Sequence, residues 1–459
     1  MDSQDGQFGG QYDGQFDGRL EAVQTNRSGL WFGPVSETRP MTGMDQIEMY
    51  LVSISVFLAP VNFLRHPEFY VTASDVFAIA CLLLMFVNRT VSLQPFGIAM
   101  APWTLGLMML IGGLLASSII NGDALRGLIV SGQYFFAYFI LPLTIVTRPW
   151  AQLLTLVRIF VFSLLLIVLF GIYLIHIDGE TNTAFVTANG RMMSLVESPN
   201  HCAALIALTL PMLLWLIGNG CFPRTVGWLI TGVLIYGALL TASNSGLFAM
   251  IYGIGIYCLV TNSWRQNAIG LGGALIVFIS ALTWAREFLP HAFQTRVLQA
   301  LESGDIDKAG TISNRMDLII ESLELTNSNI LLGLGADQYR LVSYFGAPVH
   351  NAYLLIWTEG GLIAFLGFLL IICAGLVTVV PVLGMPGRLL TATCTFSTVT
   401  LFAALVNSTP HVYGRFWITP VLLSIALVLA KTREGPIPEE LCKYKRWRTK
   451  RASGRFPGP

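Results

Sequence analysis

Residues 350–379 read HNAYLLIWTEGGLIAFLGFLLIICAGLVTV, and their reading decides the fold. From Asn351 onward the run is apolar except for one carboxylate, Glu359. It exceeds the roughly 20 apolar residues needed to cross ~30 Å of hydrocarbon. In lipid it must be a helix, because every backbone N–H and C=O needs a partner inside the protein. It is the tenth of about twelve such blocks. The others cover approximately 47–64, 71–87, 102–120, 127–146, 151–176, 200–218, 225–241, 245–262, 268–286, 389–407 and 416–430. None shows the polar alternation of a transmembrane strand. The expected fold is therefore all-α: a polytopic membrane protein with about twelve transmembrane helices.

Composition agrees. Of 459 residues 54% are hydrophobic and 12% charged, about half the ~25% usual in soluble domains. A soluble enzyme and a disordered regulator are both excluded. The net charge of +1 conceals an asymmetry. Residues 1–46 form a Gly/Gln-rich head with seven acids and three bases, a composition that predicts disorder. The first apolar block follows this head, so no cleavable signal peptide is expected and that block serves as a signal-anchor. Residues 47–430 form the membrane domain. The tail 431–459 holds nine bases and three acids, including KYKRWRTKR at 443–451. By the positive-inside rule this tail, and Arg89, Arg148, Arg224, Arg265 and Arg388 in short loops, face the cytoplasm, as do both termini. The tail fits anionic lipid heads; topology accounts for its charge, so no nucleic-acid partner is implied. None of the seven cysteines lies in the longest hydrophilic loop, which predicts neither a disulfide nor a thiolate metal site.

Two segments fall outside the membrane. One is 177–199, IDGETNTAFVTANGRMMSLVESP; the other is the long loop 287–350. In the second, Ser313 or Asn314 can cap an amphipathic helix running through Arg315, and Gly333–Gly335 make a turn. A helical cap on the outer face is expected. Arg191, Arg296, Arg315 and Arg340 stand outside, against the positive-inside trend. The planar guanidinium grips phosphate oxygens in pairs, so converging arginines there suit a diphosphate. His350 opens the tenth block and can accept a proton near neutral pH. Asn351 caps that helix or meets a sugar hydroxyl. Glu359 lies about 13 Å further along at 1.5 Å per residue, deep enough to require the bundle interior. Glu197, Pro199, Asn200 and His201 open the sixth block, and His411, Tyr413 and Arg415 form another external polar knot. Walker, dinucleotide, His-Glu-x-x-His and Asp-Asp metal signatures are absent, so neither a metal nor a cofactor is implied.

These pieces together resemble the O-antigen ligase family, which includes O-antigen and exopolysaccharide polymerases. The resemblance rests on Arg191 before Glu-Ser-Pro-Asn200, on Asn314-Arg315 opening a helix that leads to LLGLG, and on His350-Asn351-Ala-Tyr353-Leu with Glu359-Gly-Gly361. It covers roughly residues 70–430. It implies a metal-independent, inverting glycosyltransferase of the bacterial inner membrane, acting on an undecaprenyl-diphosphate-linked glycan at the periplasmic face. Arg191 and Arg315 match the arginines that bind the diphosphate, and His350 the group that activates the acceptor hydroxyl. Asn200, Asn351, Tyr353, Glu359 and Arg340 are the expected substrate-binding set. The acceptor is a glycan or a lipid such as lipid A core, and other polysaccharide assembly proteins are possible partners. The chain departs from the pattern at Ser243-Asn244, where many members carry Ser-Arg. Two other classes compete: a secondary transporter of twelve helices, which should show repeated halves and midplane charges, and a non-catalytic assembly protein.

Overall fold

The computed structural model describes residues 43–63, 65–66, 68–261, 293–294 and 312–442. The head up to residue 42, the ninth block, Arg265, Arg296 and the basic run 443–451 lie outside the described residues. Among the described residues the structure is helical, with one isolated β-bridge, Val186 to Met192. The long helices are α1 (Gly43–Leu58), α2 (Ala73–Val87), α3 (Met100–Asn121), α4 (Ala124–Ile145), α5 (Trp150–His176), α6 (Pro199–Gly218), α7 (Arg224–Leu240), α8 (Asn244–Thr261), α9 (Ile312–Ser328), α10 (Ala352–Val377), α11 (Arg388–Leu405) and α12 (Arg415–Glu434). All but α9 coincide with an apolar block of the sequence. Among the described residues seven spans are long and apolar enough to cross a membrane: Gly97–Asn121, Ala124–Ile145, Trp150–His176, Pro199–Gly218, Ala352–Gly384, Arg388–Ser408 and Arg415–Glu434. Two more, α2 and α7, are apolar but shorter. The helix α1 begins at Gly43, so the last residues assigned to the head are helical.

The helices α3 and α10 make the closest large pair. A β-carbon at Gly113 would fall 2.7 Å from the Ala364 nitrogen, so the backbones meet where side chains are missing. Small residues let helices approach this closely in lipid, where van der Waals packing is a principal attraction. At Gly361 the helix α10 breaks, with φ 73 and ψ −178, a conformation glycine reaches at low cost. The chain segment 330–336 fills the break. Leu362 N–H donates to Ile330 O at 2.9 Å, Leu334 N–H to Thr358 O at 2.8 Å and Gly335 N–H to Glu359 O at 2.9 Å. The end of α3 holds the same segment. Ser117 Oγ accepts from Gly333 N–H, Ser118 Oγ from Ala336 N–H, and Asn121 Nδ2 donates to Gly333 O, each at 2.9 Å.

A second irregularity has a clear cause. Pro142 has no N–H, so the carbonyl four residues earlier loses its helical donor. That carbonyl, of Tyr138, accepts instead from Trp103 Nε1 at 2.8 Å, and a π turn spans Phe136–Ile140. The Tyr138 hydroxyl then donates to Val412 O at 3.0 Å, fixing the α11–α12 connection.

Among the described residues two ion pairs are deeply buried. Arg148 Nη1 meets Glu48 Oε2 at 3.3 Å, and Arg415 forks Asp75 at 2.5 and 2.7 Å with both side chains at most 3% exposed. Arg158 donates to Cys221 O at 2.9 Å and Leu441 O at 3.3 Å. The expectation of no disulfide is overturned: Cys221 is bonded to Cys442. The segment after α12 folds back over the α6–α7 turn, and a separation of 221 residues hides that pairing from any spacing rule.

Removing one partner of a buried ion pair strands the other charge. Asp75→Ala should cost about 3–5 kcal/mol, and thermal unfolding of the detergent-solubilised protein should show a markedly lower midpoint than wild type.

Candidate functional site

The helix connections at one end of the bundle interlock. Asn62 Nδ2 donates to Glu197 Oε2 at 2.5 Å, and Arg65 Nη2 to Glu197 Oε1 at 3.1 Å, joining the α1–α2 and α5–α6 connections. Gln133 Nε2 on α4 donates to Phe69 O at 2.7 Å. His201 Nε2 lies 3.2 Å from Thr409 Oγ1, joining the start of α6 to the α11–α12 connection. Asn351 Nδ2 donates to Asn407 Oδ1 at 3.4 Å. Arg126 at the start of α4 meets Asp337 at 3.4 Å.

The helix α9 is held here by polar groups. The Thr358 hydroxyl on α10 lies 2.7 Å from that of Ser322 and 2.8 Å from that of Thr326. Glu321 accepts from the Tyr339 hydroxyl at 2.8 Å, the Ser343 hydroxyl at 2.7 Å and Tyr344 N–H at 2.7 Å, gathering the turn that includes the short helix Tyr339–Val342. Beneath them Leu318, Tyr339, Val349 and Leu355 form a buried cluster. Ser313 and Asn314 lie within the described helix Ile312–Ser328, whereas the sequence analysis placed them ahead of it as caps. The Arg315 charge on α9 acts on His350, whose buried Nδ1 has no hydrogen-bond partner. Burial first, and then the Arg315 charge, lower the His350 pKa, against the opposing pull of the Pro348 carbonyl. A neutral imidazole with an unengaged nitrogen is what a proton acceptor requires.

Arg191 is brought to Asn200. Its Nε donates to Thr241 O at the end of α7 at 2.8 Å, and its Nη2 to Asn200 Oδ1 at 2.9 Å. Next to Asn200 in the chain, His201 meets Thr409, whose hydroxyl donates to the His411 carbonyl at 3.4 Å. Burial pushes His411 down to about 4; Asp337 raises it, while Arg65, Arg340 and His350 lower it further.

The other expected site residues have structural holds. Asn351 caps α10, its Oδ1 accepting from Tyr353 N–H at 3.0 Å and Leu354 N–H at 3.3 Å. The Tyr353 hydroxyl donates to Ala403 O between helices, at 2.8 Å. Glu359 is 5% exposed and accepts from Tyr339 N–H at 3.3 Å. Arg340 forks Asp337 at 2.7 and 3.0 Å. The sequence reading passed over Arg65, Tyr70, Arg126 and Asp337. The two arginines stand at the edges of the first and fourth blocks, where they read as flanking charge. No group of His, Cys, Asp and Glu among the described residues is arranged to hold a metal ion.

The fold and this end of the bundle define a multi-pass helical membrane protein with a polar site where its connections meet. Residues 229–369 match the family model described as O-antigen ligase, which supports the O-antigen ligase family for this chain. The matched stretch contains Arg315, Arg340, His350, Asn351, Tyr353 and Glu359, while Arg191 and Asn200 precede it. No curated protein matches the chain.

His411 should stay neutral well below the ordinary histidine value of about 6.5. A depressed folded pKa opposes protonation, so stability is complete above about 6.5 and is lost as the pH falls toward 4. Thermal midpoints measured across that window should fall with acid, and His411→Asn should flatten the slope.

Proposed function

We propose that the protein is a glycosyltransferase of cell-surface polysaccharide assembly, acting at the outer face of the inner membrane with both termini in the cytoplasm. The donor is a glycan on undecaprenyl diphosphate; the acceptor is a second glycan or a lipid such as lipid A core. The observation that carries this reading is His350 at the head of α10, its buried Nδ1 without a hydrogen-bond partner and its ring within the field of the Arg315 charge. His350 takes the proton of the acceptor hydroxyl, whose oxygen attacks the anomeric carbon. The bond to the diphosphate oxygen breaks on the opposite face, inverting the centre. Arg315 and Arg191 stabilise the negative charge on the leaving diphosphate, the place where fixed cations lower the barrier most. No metal is needed for this charge balance. The match over residues 229–369 supports the family-level part of this reading.

Purified protein given undecaprenyl-diphosphate oligosaccharide tests it. Longer carrier-linked glycans indicate a polymerase, and glycan appearing on lipid A core a ligase. No turnover, with glycan flux across liposomes instead, would replace it with transport. His350→Ala and Arg315→Ala should each abolish transfer while the protein still inserts in the membrane.

The base must be neutral to act, so kcat/KM should fall as acid protonates His350. The midpoint should lie below the ordinary ~6.5, since burial and Arg315 both lower it. In Arg315→Gln the His350 titration, followed by NMR of the imidazole, should move to higher pH, because the lowering charge is gone.

A further inference from the structure

A second set of side chains meets at the same end of the bundle and has no part in the proton transfer or the diphosphate contacts above. Tyr70 lies in the α1–α2 connection, Asp337 and Arg340 follow the Gly333–Gly335 turn, and His411 and Tyr413 belong to the α11–α12 connection. The Arg65 guanidinium carbon sits 5.0 Å from the centroid of the Tyr70 ring. The Tyr70 and Tyr413 rings are 6.0 Å apart, and those of His411 and Tyr413 5.4 Å. Asp337 is 8% exposed and is forked by Arg340 at 2.7 and 3.0 Å.

Backbone strain marks the same residues. Tyr70 and Asp337 have φ 55 and 62, in the left-handed region that side chains rarely adopt. Such strain persists where the surroundings over-determine it, and it clusters at binding sites. Here the surroundings are visible. Asp337 is fixed by Arg340, by Arg126 and by the neighbouring Tyr339 N–H bond to Glu359.

The chemistry of the set selects a ligand class. A carboxylate beside a guanidinium offers coplanar acceptors and donors to vicinal hydroxyls. Aromatic rings bring a large rigid apolar surface that suits the C–H face of a sugar ring. A diphosphate has no apolar face to set against these rings. One helix joins the two halves of the set: α4 carries Arg126 to Asp337, Gln133 to the Phe69 carbonyl beside Tyr70, and Tyr134 to the Tyr413 ring at 5.3 Å.

We propose that Tyr70, Asp337, Arg340 and His411 form the subsite for the sugar of the donor glycan next to the diphosphate, with Tyr70 as its ring platform. The subsite rests on the transferase reading above. It decides which sugar presents its anomeric carbon to the acceptor, whereas Arg315 and Arg191 hold the part common to every carrier.

The test compares two probes on the full-length protein in detergent: undecaprenyl diphosphate bearing one repeat unit from producing cells, and bare undecaprenyl diphosphate. Tyr70→Ala and Asp337→Asn should weaken binding of the glycosylated carrier by about tenfold or more and leave binding of the bare carrier unchanged. Tyr70→Phe, which keeps the ring, should bind both as wild type does. Equal weakening of both probes, or of neither, would overturn the subsite. If Asp337→Asn unfolds, the Tyr70 pair decides alone. Wild-type protein that binds neither probe and transfers nothing would remove the transferase reading itself; wild-type transfer with no discrimination among the variants removes only the subsite.

Discussion

The structure depends on satisfying backbone hydrogen bonds at a break in a helix that should lie in lipid. At Gly361 the path of α10 leaves the helical region, and at that depth water is not there to accept the freed groups. The segment 330–336 takes them over, pairing with Thr358, Glu359 and Leu362 through main-chain bonds. Part of the site is held by that repair. The repaired segment leads into Asp337 and Arg340. Thr358, just before the break, anchors α9, and α9 carries Arg315, whose charge acts on His350. Glu359, the one carboxylate of the opening stretch, serves the repair directly by accepting from Tyr339 N–H.

Cationic side chains are used in two different ways. Arg148 and Arg415 are buried and spent on carboxylates, where they join elements far apart in sequence. Such pairs gain little over apolar packing but are costly to break, so they fix register more than they add stability. Arg191 donates to Thr241 O and to Asn200 Oδ1, tying the α5–α6 connection to the end of α7. The Arg315 charge is felt by a histidine whose own burial already favours the neutral form. A cation that depresses a neighbouring base keeps that base ready to accept a proton.

Much of the fold was legible because lipid permits so few solutions. A long apolar run has one conformation open to it, and eleven blocks coincide with helices. The amphipathic spacing around Arg315 was likewise enough to announce α9. Contacts between distant residues were not legible. Asp75 and Arg415 are 340 positions apart, and nothing local to either marks the other. Asn351 read equally well as cap or sugar ligand, and only its bonds to Tyr353 and Leu354 N–H show the capping. Asp337 was invisible for a different reason: an aspartate after Gly-Leu-Gly-Ala reads as ordinary turn chemistry. Its importance comes from Arg126, more than two hundred residues earlier.

The small polar residues at the end of α3 bear on autonomy. Ser117, Ser118 and Asn121 complete the bonds of the 330–336 segment, yet they precede residues 229–369, the stretch that matches the family model. That stretch is therefore a unit of recognition and not a unit of folding. Cut out by itself it would lose the helix against which α10 packs most closely and the donors and acceptors that close its break. A graft of the stretch into another scaffold would have to bring the last turns of α3 with it.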